Sequence, residues 1–247
     1  MASAPTLQEG VWVTESSTMS SVIHTHDLSR RFGQRWAYAR VDLEIEPGER
    51  VLLIGANGSG KTTLLRSLAT LLRPTSGSLR LFGLDPRTDL AAVRRRVGFF
   101  SHKTGLYEDL SARDNLTVIA KLAGLKPTKA ELVKRLAAVG LEDRPDPIQR
   151  YSAGMRRRTA LAALMLSEPE LILLDEPFSA LDPAGVSQVA DLIRSLPGTV
   201  VVTSHQVERA ATLCDRAVLL QGGLQRWQGP ASDAWSAWRA SQREVST

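Results

Sequence analysis

A glycine-rich turn sets strict limits on how this 247-residue chain can fold. Residues 55–62 read Gly-Ala-Asn-Gly-Ser-Gly-Lys-Thr and fit the pattern G-x-x-x-x-G-K-[ST] at every position. An apolar run at 51–54 precedes the turn, which predicts a buried strand that passes directly into the N-terminus of a helix. We therefore expect an α/β fold. The helix is indicated by leucines that recur at helical spacing, Leu64, Leu65, Leu68, Leu71 and Leu72.

Each residue type in this turn suits the binding of phosphate. The three glycines leave the backbone free to point its N–H groups inward, and the helix N-terminus adds partial positive charge. Lys61 supplies a full charge, the Thr62 hydroxyl can ligate Mg²⁺, and Thr63 is a candidate donor to an α-phosphate. The predicted nucleoside triphosphate site comprises Gly55, Ala56, Asn57, Gly58, Ser59, Gly60, Lys61, Thr62 and Thr63.

Two acidic residues follow a second apolar run. The run 171–174 predicts another buried strand, and Asp175 and Glu176 come directly after it. Residues at the carboxyl ends of strands in open α/β sheets face the ligand crevice, so Asp175 is a candidate Mg²⁺ ligand, directly or through water. Glu176 is a candidate general base for water that attacks the γ-phosphate. An acidic surface turn is the alternative interpretation.

Composition narrows the class of protein. The length allows one large or two small domains, and the single Cys214 excludes an intrachain disulfide and favours a cytosolic compartment. No apolar run reaches the roughly 18 residues of a membrane span. The net charge of +5 includes arginine clusters at 94–96 and 156–158. Such charge is compatible with nucleic acid, an anionic membrane, nucleotide or solvated helix faces.

The first half of the chain divides into a leader and a strand-rich region. Residues 1–21 show no sustained period and are predicted to form a flexible leader. The alternating segments 22–28 and 39–45 predict half-exposed antiparallel strands, and 78–83 predicts another short strand.

The second half predicts helices followed by a buried parallel sheet. Between about 88 and 165 the pattern turns helical, with a capping box that begins at Thr128, so we expect a helical insertion. The apolar run 199–203 predicts a strand buried on both faces. Asp182, followed by proline, is the expected N-cap of the helix before that strand.

Further motifs sharpen the interpretation. Tyr-Ser-Ala-Gly-Met at 151–155 precedes a basic helix, Leu-Leu-Asp-Glu-Pro occupies 173–177, Ser-Ala-Leu-Asp follows at 179–182, and His205 ends the next strand. In this order and after the phosphate loop, they resemble the nucleotide-binding subunits of ABC transporters. The resemblance implies a P-loop NTPase core with a mixed sheet, an antiparallel β subdomain and a helical subdomain. The implied boundaries are 22–228 for the nucleotide-binding domain, about 88–165 for the helical subdomain within it and 229–247 for a C-terminal helical tail.

The resemblance also assigns roles to single residues. It implies that two copies of the chain sandwich two ATP molecules with Mg²⁺, and that Ser152 and Gly154 of one copy reach the γ-phosphate bound by the other. His205 is implied to contact the same phosphate and to help hold Glu176. Phe32 matches the adenine-stacking aromatic of the family, with a core phenylalanine as the alternative.

Three positions depart from the family pattern. His102 stands where most relatives have a glutamine that touches Mg²⁺, so it is either a metal ligand or an exposed loop residue. Ala153 and Met155 replace the usual glycine and glutamine. The methyl group at 153 is compatible with function only if the backbone there is not restricted to glycine.

The segment 98–116 bears on the transported substrate. It resembles the ATP-binding subunits of the heme exporters of cytochrome c maturation, so we predict heme export through a membrane-spanning permease subunit. The chain itself is expected on the cytoplasmic face of the cell membrane. An exporter ATPase for a drug, lipid or polysaccharide is the alternative. A soluble ABC ATPase that acts on nucleic acid or the ribosome is disfavoured, and no nucleic-acid partner is expected, because tandem domains, zinc clusters and long coiled coils are missing from the sequence.

Overall fold

The computed structural model describes residues 7–8, 11–12, 21–101 and 104–244. Its strands are β1 Leu7–Gln8, β2 Val11–Trp12, β3 Ile23–Phe32, β4 Arg35–Ile45, β5 Arg50–Ile54, β6 Ser76–Leu81, β7 Val97–Phe100, β8 Leu171–Asp175, β9 Thr199–Thr203, β10 Arg216–Gln221 and β11 Leu224–Pro230. Its α-helices are α1 Lys61–Leu68, α2 Leu90–Arg94, α3 Ala112–Leu122, α4 Lys129–Ala138, α5 Ala153–Leu164, α6 Pro183–Ser195, α7 Val207–Ala211 and α8 Ala234–Glu244.

In the described part of the chain, nine strands form one mixed sheet in the order β6-β3-β4-β11-β10-β5-β9-β8-β7. The strands from β10 to β7 run parallel to one another. The hairpins β3–β4 and β10–β11 and the β3–β6 pair are antiparallel. The predicted α/β fold with a mixed sheet is confirmed, and segments 22–28 and 39–45 contribute to antiparallel strands as expected.

Strand β5 explains why the centre of the sheet is covered on both faces. Successive side chains of a strand point to opposite faces, and all four apolar residues of β5 are at most 1% exposed. Val51 and Leu53 pack in one cluster with the leucines of α1, whereas Leu52 and Ile54 pack in another with the apolar face of α6. Burial of each such side chain contributes roughly 1.5–3 kcal/mol.

Helix α1 is one turn shorter than the leucine pattern predicts. It ends at Leu68, and the backbone of Thr70 is left-handed, with φ of 59°. Leu71 is consequently turned to solvent and is 54% exposed. The leucine spacing gives no signal for this stop. Thr70 gives none either, because threonine rarely adopts the left-handed conformation.

The predicted helical stretch 88–165 contains α2 to α5 but also a strand. Helices α3, α4 and α5 share an apolar cluster of their own. Strand β7 pairs in parallel with β8 at the edge of the sheet. A Cβ on Gly98 would lie 2.8 Å from Pro169 and 2.9 Å from Leu164, so glycine permits this close packing. Four residues with a central glycine carry little periodicity, and the neighbouring buried strand specifies β7.

Two helix starts confirm their predicted caps. The Thr128 hydroxyl accepts from the Glu131 N–H, and the Glu131 carboxylate accepts from the Thr128 N–H, which completes the capping box of α4. Asp182 accepts from the Gly185 N–H at 2.8 Å, with Pro183 at the first position of α6. Each such cap contributes roughly 1 kcal/mol.

The two ends of the chain differ in how much of them is described. Strands β1 and β2 pair with each other inside the predicted leader 1–21, most of which lies outside the described residues. Helix α8 lies in the predicted tail 229–247 and packs against α7 and β10.

Each helix described is too short or too polar to cross a membrane.

Candidate active site

The phosphate loop joins β5 to α1, and two of its glycines have no room for a side chain. Gly55 has φ of 152°, and a Cβ there would lie 2.2 Å from the Leu220 carbonyl oxygen. Gly60 has φ of 101°, and its Cβ would lie 2.2 Å from the Ala37 carbonyl oxygen. Gly58 is also left-handed, at 79°, but has no atom of the described residues within 4 Å of that position. Neighbouring strands therefore press on the loop at two points and hold its shape.

A buried hydroxyl in the loop fits a phosphate group. Ser59 is 4% exposed, and its Oγ has no hydrogen-bond partner in the part of the chain described. A buried polar group without a partner costs about 1–3 kcal/mol, so a ligand oxygen that accepts from it is favourable. The loop also opens into α1, whose first N–H groups carry partial positive charge.

Lys61 brings a cation to the same loop. Its Nζ donates to the carbonyl oxygens of Gly55 at 2.8 Å and Ala56 at 3.1 Å. Burial lowers the pKa of the Lys61 ammonium, and the charges of Glu176 and Asp175 partly oppose that shift. A cation with this degree of burial favours an anionic partner.

Asp175 lies at the carboxyl end of β8, where the sheet brings it to the phosphate loop. It is 2% exposed, and its Oδ1 accepts from the Thr62 hydroxyl at 2.9 Å and from the Thr203 hydroxyl at 2.9 Å. Hydroxyl and carboxylate oxygens are ligands that Mg²⁺ prefers. Thr62 and Asp175, predicted separately as metal ligands, are therefore in direct contact.

Glu176 follows in a left-handed conformation, with φ of 50°. Its Oε2 lies 2.8 Å from Nδ1 of His205 and accepts from the His205 main-chain N–H at 3.3 Å. A carboxylate only accepts, so the shared proton is on Nδ1. Glu176 also lines the cavity of the phosphate loop. The two predicted catalytic residues thus lie together at this site.

That cavity has a volume of about 380 Å³ and an aromatic wall. Phe32 lines it and is 50% exposed, which excludes the core-phenylalanine alternative. The remaining lining comes from the first residues of β4, the phosphate loop, the start of α1 and Glu176. The lining residues are Phe32, Arg35, Trp36, Ala37, Asn57, Gly58, Ser59, Gly60, Lys61, Thr62, Thr63 and Glu176.

Ser152 and Gly154 lie elsewhere, at the start of α5. Ser152 is the exposed N-cap and accepts from the Met155 N–H at 3.2 Å. A Cβ on Gly154 would meet only ordinary contacts of 3.8 Å within this chain. Ala153 has no left-handed backbone, so its methyl group is compatible with the helix start. Neither Ser152 nor Gly154 lines the phosphate-loop cavity of the same chain.

His102, a candidate metal ligand, lies outside the described residues. Its position along the chain follows β7 and Ser101.

Sequence reasoning missed two residues of the cavity wall and the burial of an arginine on α5. Trp36 pairs with Arg31 across the hairpin, and both Trp36 and Arg35 reach the cavity. The sequence signal was available, because Gly33 marks a two-residue turn that returns the next strand beside Phe32. Arg157, one of the arginines considered as a solvated face, is only 7% exposed and donates to Ser179 Oγ at 2.9 Å.

Comparison with known proteins places this arrangement in a family. The fold is that of a P-loop ATPase, and the sequence profile of the ABC transporter family matches residues 38–179. A dimeric bacterial ABC transporter cassette aligns with a TM-score of 0.75 at 26% identity, over 85% of this chain and 98% of its own. The chain belongs to the ABC transporter family, which implies binding and hydrolysis of ATP.

Two curated relatives show how far the likeness extends. The daunorubicin resistance ATP-binding protein DrrA3 of Streptomyces coeruleorubidus is 38% identical over 86% of this chain. The bacitracin transport ATP-binding protein BcrA of Enterococcus faecalis is 33% identical over 80% of this chain. This chain spans 69% and 65% of the two relatives, respectively.

Proposed function

We propose that this chain is the ATP-hydrolysing subunit of an ABC exporter and drives transport through a separate membrane-spanning permease. One observation carries the proposal: a phosphate loop, a strand-end aspartate and a glutamate paired with histidine meet at one site. Such a site needs only to position a triphosphate and water and to balance charge.

The contacts at the site support a binding role for each of its residues. The loop N–H groups, the Ser59 hydroxyl and the Lys61 ammonium would hold the phosphates, and Phe32 would stack on the base. Mg²⁺, held by Thr62 and Asp175, would supply positive charge to the phosphate oxygens. When ATP binds, the Lys61 ammonium would exchange its two carbonyl contacts for a phosphate, so the buried cation gains a charged partner.

Hydrolysis would use Glu176 as the general base. Its carboxylate accepts a proton from water as the water oxygen bonds to the γ-phosphorus and the bond to the bridging oxygen breaks, which yields ADP and inorganic phosphate. His205 holds one carboxylate oxygen of Glu176 through its ring and its main chain. That restraint keeps the base in one orientation and reduces the entropy lost on reaching the transition state.

A second copy of the chain would complete each site. Ser152 and Gly154 are accessible at a helix N-terminus and are separate from the cavity of their own chain. A helix N-terminus suits the γ-phosphate of ATP bound by the other copy. Hydrogen bonds to a charged group contribute about 1.5–3 kcal/mol each, so ATP favours the closed dimer.

The names of the two relatives described above favour a drug or antibiotic as the cargo. DrrA3 is named for daunorubicin resistance and BcrA for bacitracin transport, and neither name mentions heme. We therefore propose a drug or antibiotic as the cargo. Heme export, which rested on the segment 98–116, stays a prediction without support from these relatives. The chain would act as a peripheral subunit on the cytoplasmic face of the membrane.

The proposal is tested with purified protein and ATP. Glu176→Gln is expected to keep ATP binding and to accumulate an ATP-bound dimer on size-exclusion chromatography, whereas wild type turns over and returns to monomer. Lys61→Ala is the matched control and should lose ATP binding in calorimetry. Normal turnover by Glu176→Gln would contradict the assignment of the base.

A further inference from the structure

We propose that Thr203 is a positioning residue that links the metal-site aspartate to the catalytic glutamate. Its Oγ1 donates to Asp175 Oδ1 at 2.9 Å and accepts from the Glu176 N–H at 2.9 Å. The side chain is fully buried at the end of β9. This inference rests on the proposed function, because it assigns Thr203 a role in the reaction of that site.

The direction of the two hydrogen bonds is determined by their chemistry. A main-chain N–H only donates and a carboxylate only accepts, so the single hydroxyl hydrogen of Thr203 points to Asp175. The result is a chain from Glu176 N–H through Thr203 to Asp175. Thr62 donates to the same Asp175 oxygen. That oxygen therefore accepts from two hydroxyl groups, one from α1 and one from β9.

The contact matters because Glu176 is held in an unfavourable backbone conformation. A left-handed non-glycine residue costs about 1–2 kcal/mol, and its surroundings must hold it there. At Glu176, where φ is 50°, Thr203 binds the N–H and the Ser179 N–H binds the carbonyl oxygen at 3.2 Å. Loss of the first contact would free the turn that directs the glutamate toward His205.

The same strand offers a matched control. Thr199, at the other end of β9, is 1% exposed and accepts from the Gly48 N–H at 2.9 Å. It is therefore a buried threonine with a main-chain partner, but its hydroxyl bonds to Gly48 and Glu46 rather than to Asp175 or Glu176. Thr199→Val and Thr203→Val each remove one buried threonine hydroxyl from β9.

The test distinguishes a positioning role of Thr203 in the reaction from a role in protein stability alone. Thr203→Val is expected to lower kcat at least about 10-fold with KM for ATP changed less than about 3-fold. Thr203→Ser, which keeps the hydroxyl, should retain kcat within about 3-fold of wild type. Thr199→Val should lower Tm by a similar amount while keeping kcat. Should the valine variant not fold, Thr203→Ala is compared with Thr203→Ser, and the same kcat difference is expected.

Two further measurements test the two ends of the link. In a Glu176→Gln background, Thr203→Val should lower the residual rate much less than it lowers kcat in an otherwise wild-type chain, because its main effect acts through Glu176. Calorimetry should show a gain in ATP affinity on addition of Mg²⁺ that is smaller for Thr203→Val than for wild type or Thr199→Val, by no more than about 3-fold, in keeping with the small change in KM.

The outcomes distinguish this inference from the proposed function. If wild type does not hydrolyse ATP, or Glu176→Gln turns over normally, the proposed function fails. If those two controls behave as expected but Thr203→Val keeps wild-type kcat, or serine and alanine at 203 are equally active, only the positioning role is overturned.

Discussion

The ring Nδ1 of His205 lies 2.8 Å from Oε2 of Glu176, although 29 positions separate the two residues in the sequence. Parallel pairing of β8 with β9 places Asp175 opposite Thr203, so the segments that follow the two strands, with Glu176 one position and His205 two positions beyond, lie together. The main-chain N–H of His205 also donates to the same oxygen. His205 consequently restrains the glutamate through two atoms.

His205→Ala is expected to lower kcat by about 10²-fold and to leave ATP affinity within about 3-fold of wild type. The reason is that the variant removes the ring contact to Glu176 but leaves the phosphate loop intact. Steady-state ATPase assays and calorimetry measure the two effects. His24→Ala, an exposed histidine on β3, is the control and should be unchanged. Equal losses in both variants would show that His205 has no special role.

Gly60→Ala is expected to abolish ATP binding and to destabilise the protein by more than about 2 kcal/mol. Its new methyl group would combine a left-handed backbone with a position 2.2 Å from the Ala37 carbonyl oxygen. Thermal unfolding and calorimetry measure both effects.

Gly58→Ala provides the comparison for that variant. Gly58 is also left-handed, but a methyl group there has open space among the described residues, so a smaller loss of about 1 kcal/mol is expected. If the two variants are equally stable, the contact between the loop and Ala37 does not shape the loop.

Trp36 should report nucleotide binding through its fluorescence. It lines the cavity at 46% exposure, so a bound base or ribose would change the surroundings of the indole. ATP titration of wild type is expected to change the emission, and Trp36→Phe should lose most of that change. Trp235→Phe, at an exposed tryptophan outside the cavity, should retain it. An unchanged signal in Trp36→Phe would contradict contact with the nucleotide.

Cys214 is expected to react slowly with thiol reagents at pH 8. Burial raises the pKa of its thiol to about 12, so almost none of the reactive thiolate is present in the folded protein. In denaturant the thiol returns to an ordinary pKa and should react rapidly. Absorbance of a chromogenic disulfide reagent measures both rates. Above about pH 9 the unfolded thiol loses its proton first, so this group lowers folding stability between about pH 9 and pH 12.

Local features of the site could be predicted from the sequence. The phosphate loop, the Thr128 cap and the Asp182 cap are each encoded within a few consecutive residues, because turn dihedrals and capping bonds depend on near neighbours. Strand β5 was predictable for the same reason, as a short apolar run before the loop. The stop of α1 at Leu68 was not, because the pattern of leucines continues past it.

The partners of the catalytic groups were decided by tertiary structure. Contacts from Thr203 to Asp175 and from His205 to Glu176 join segments 28 and 29 residues apart, and they exist because β8 and β9 are neighbours in register. Trp36 likewise reaches the phosphate loop only because β4 returns beside it. A linear sequence specifies which groups can donate, accept or carry charge. Strand order determines which of those groups meet, since hydrogen bonds act only over about 3 Å.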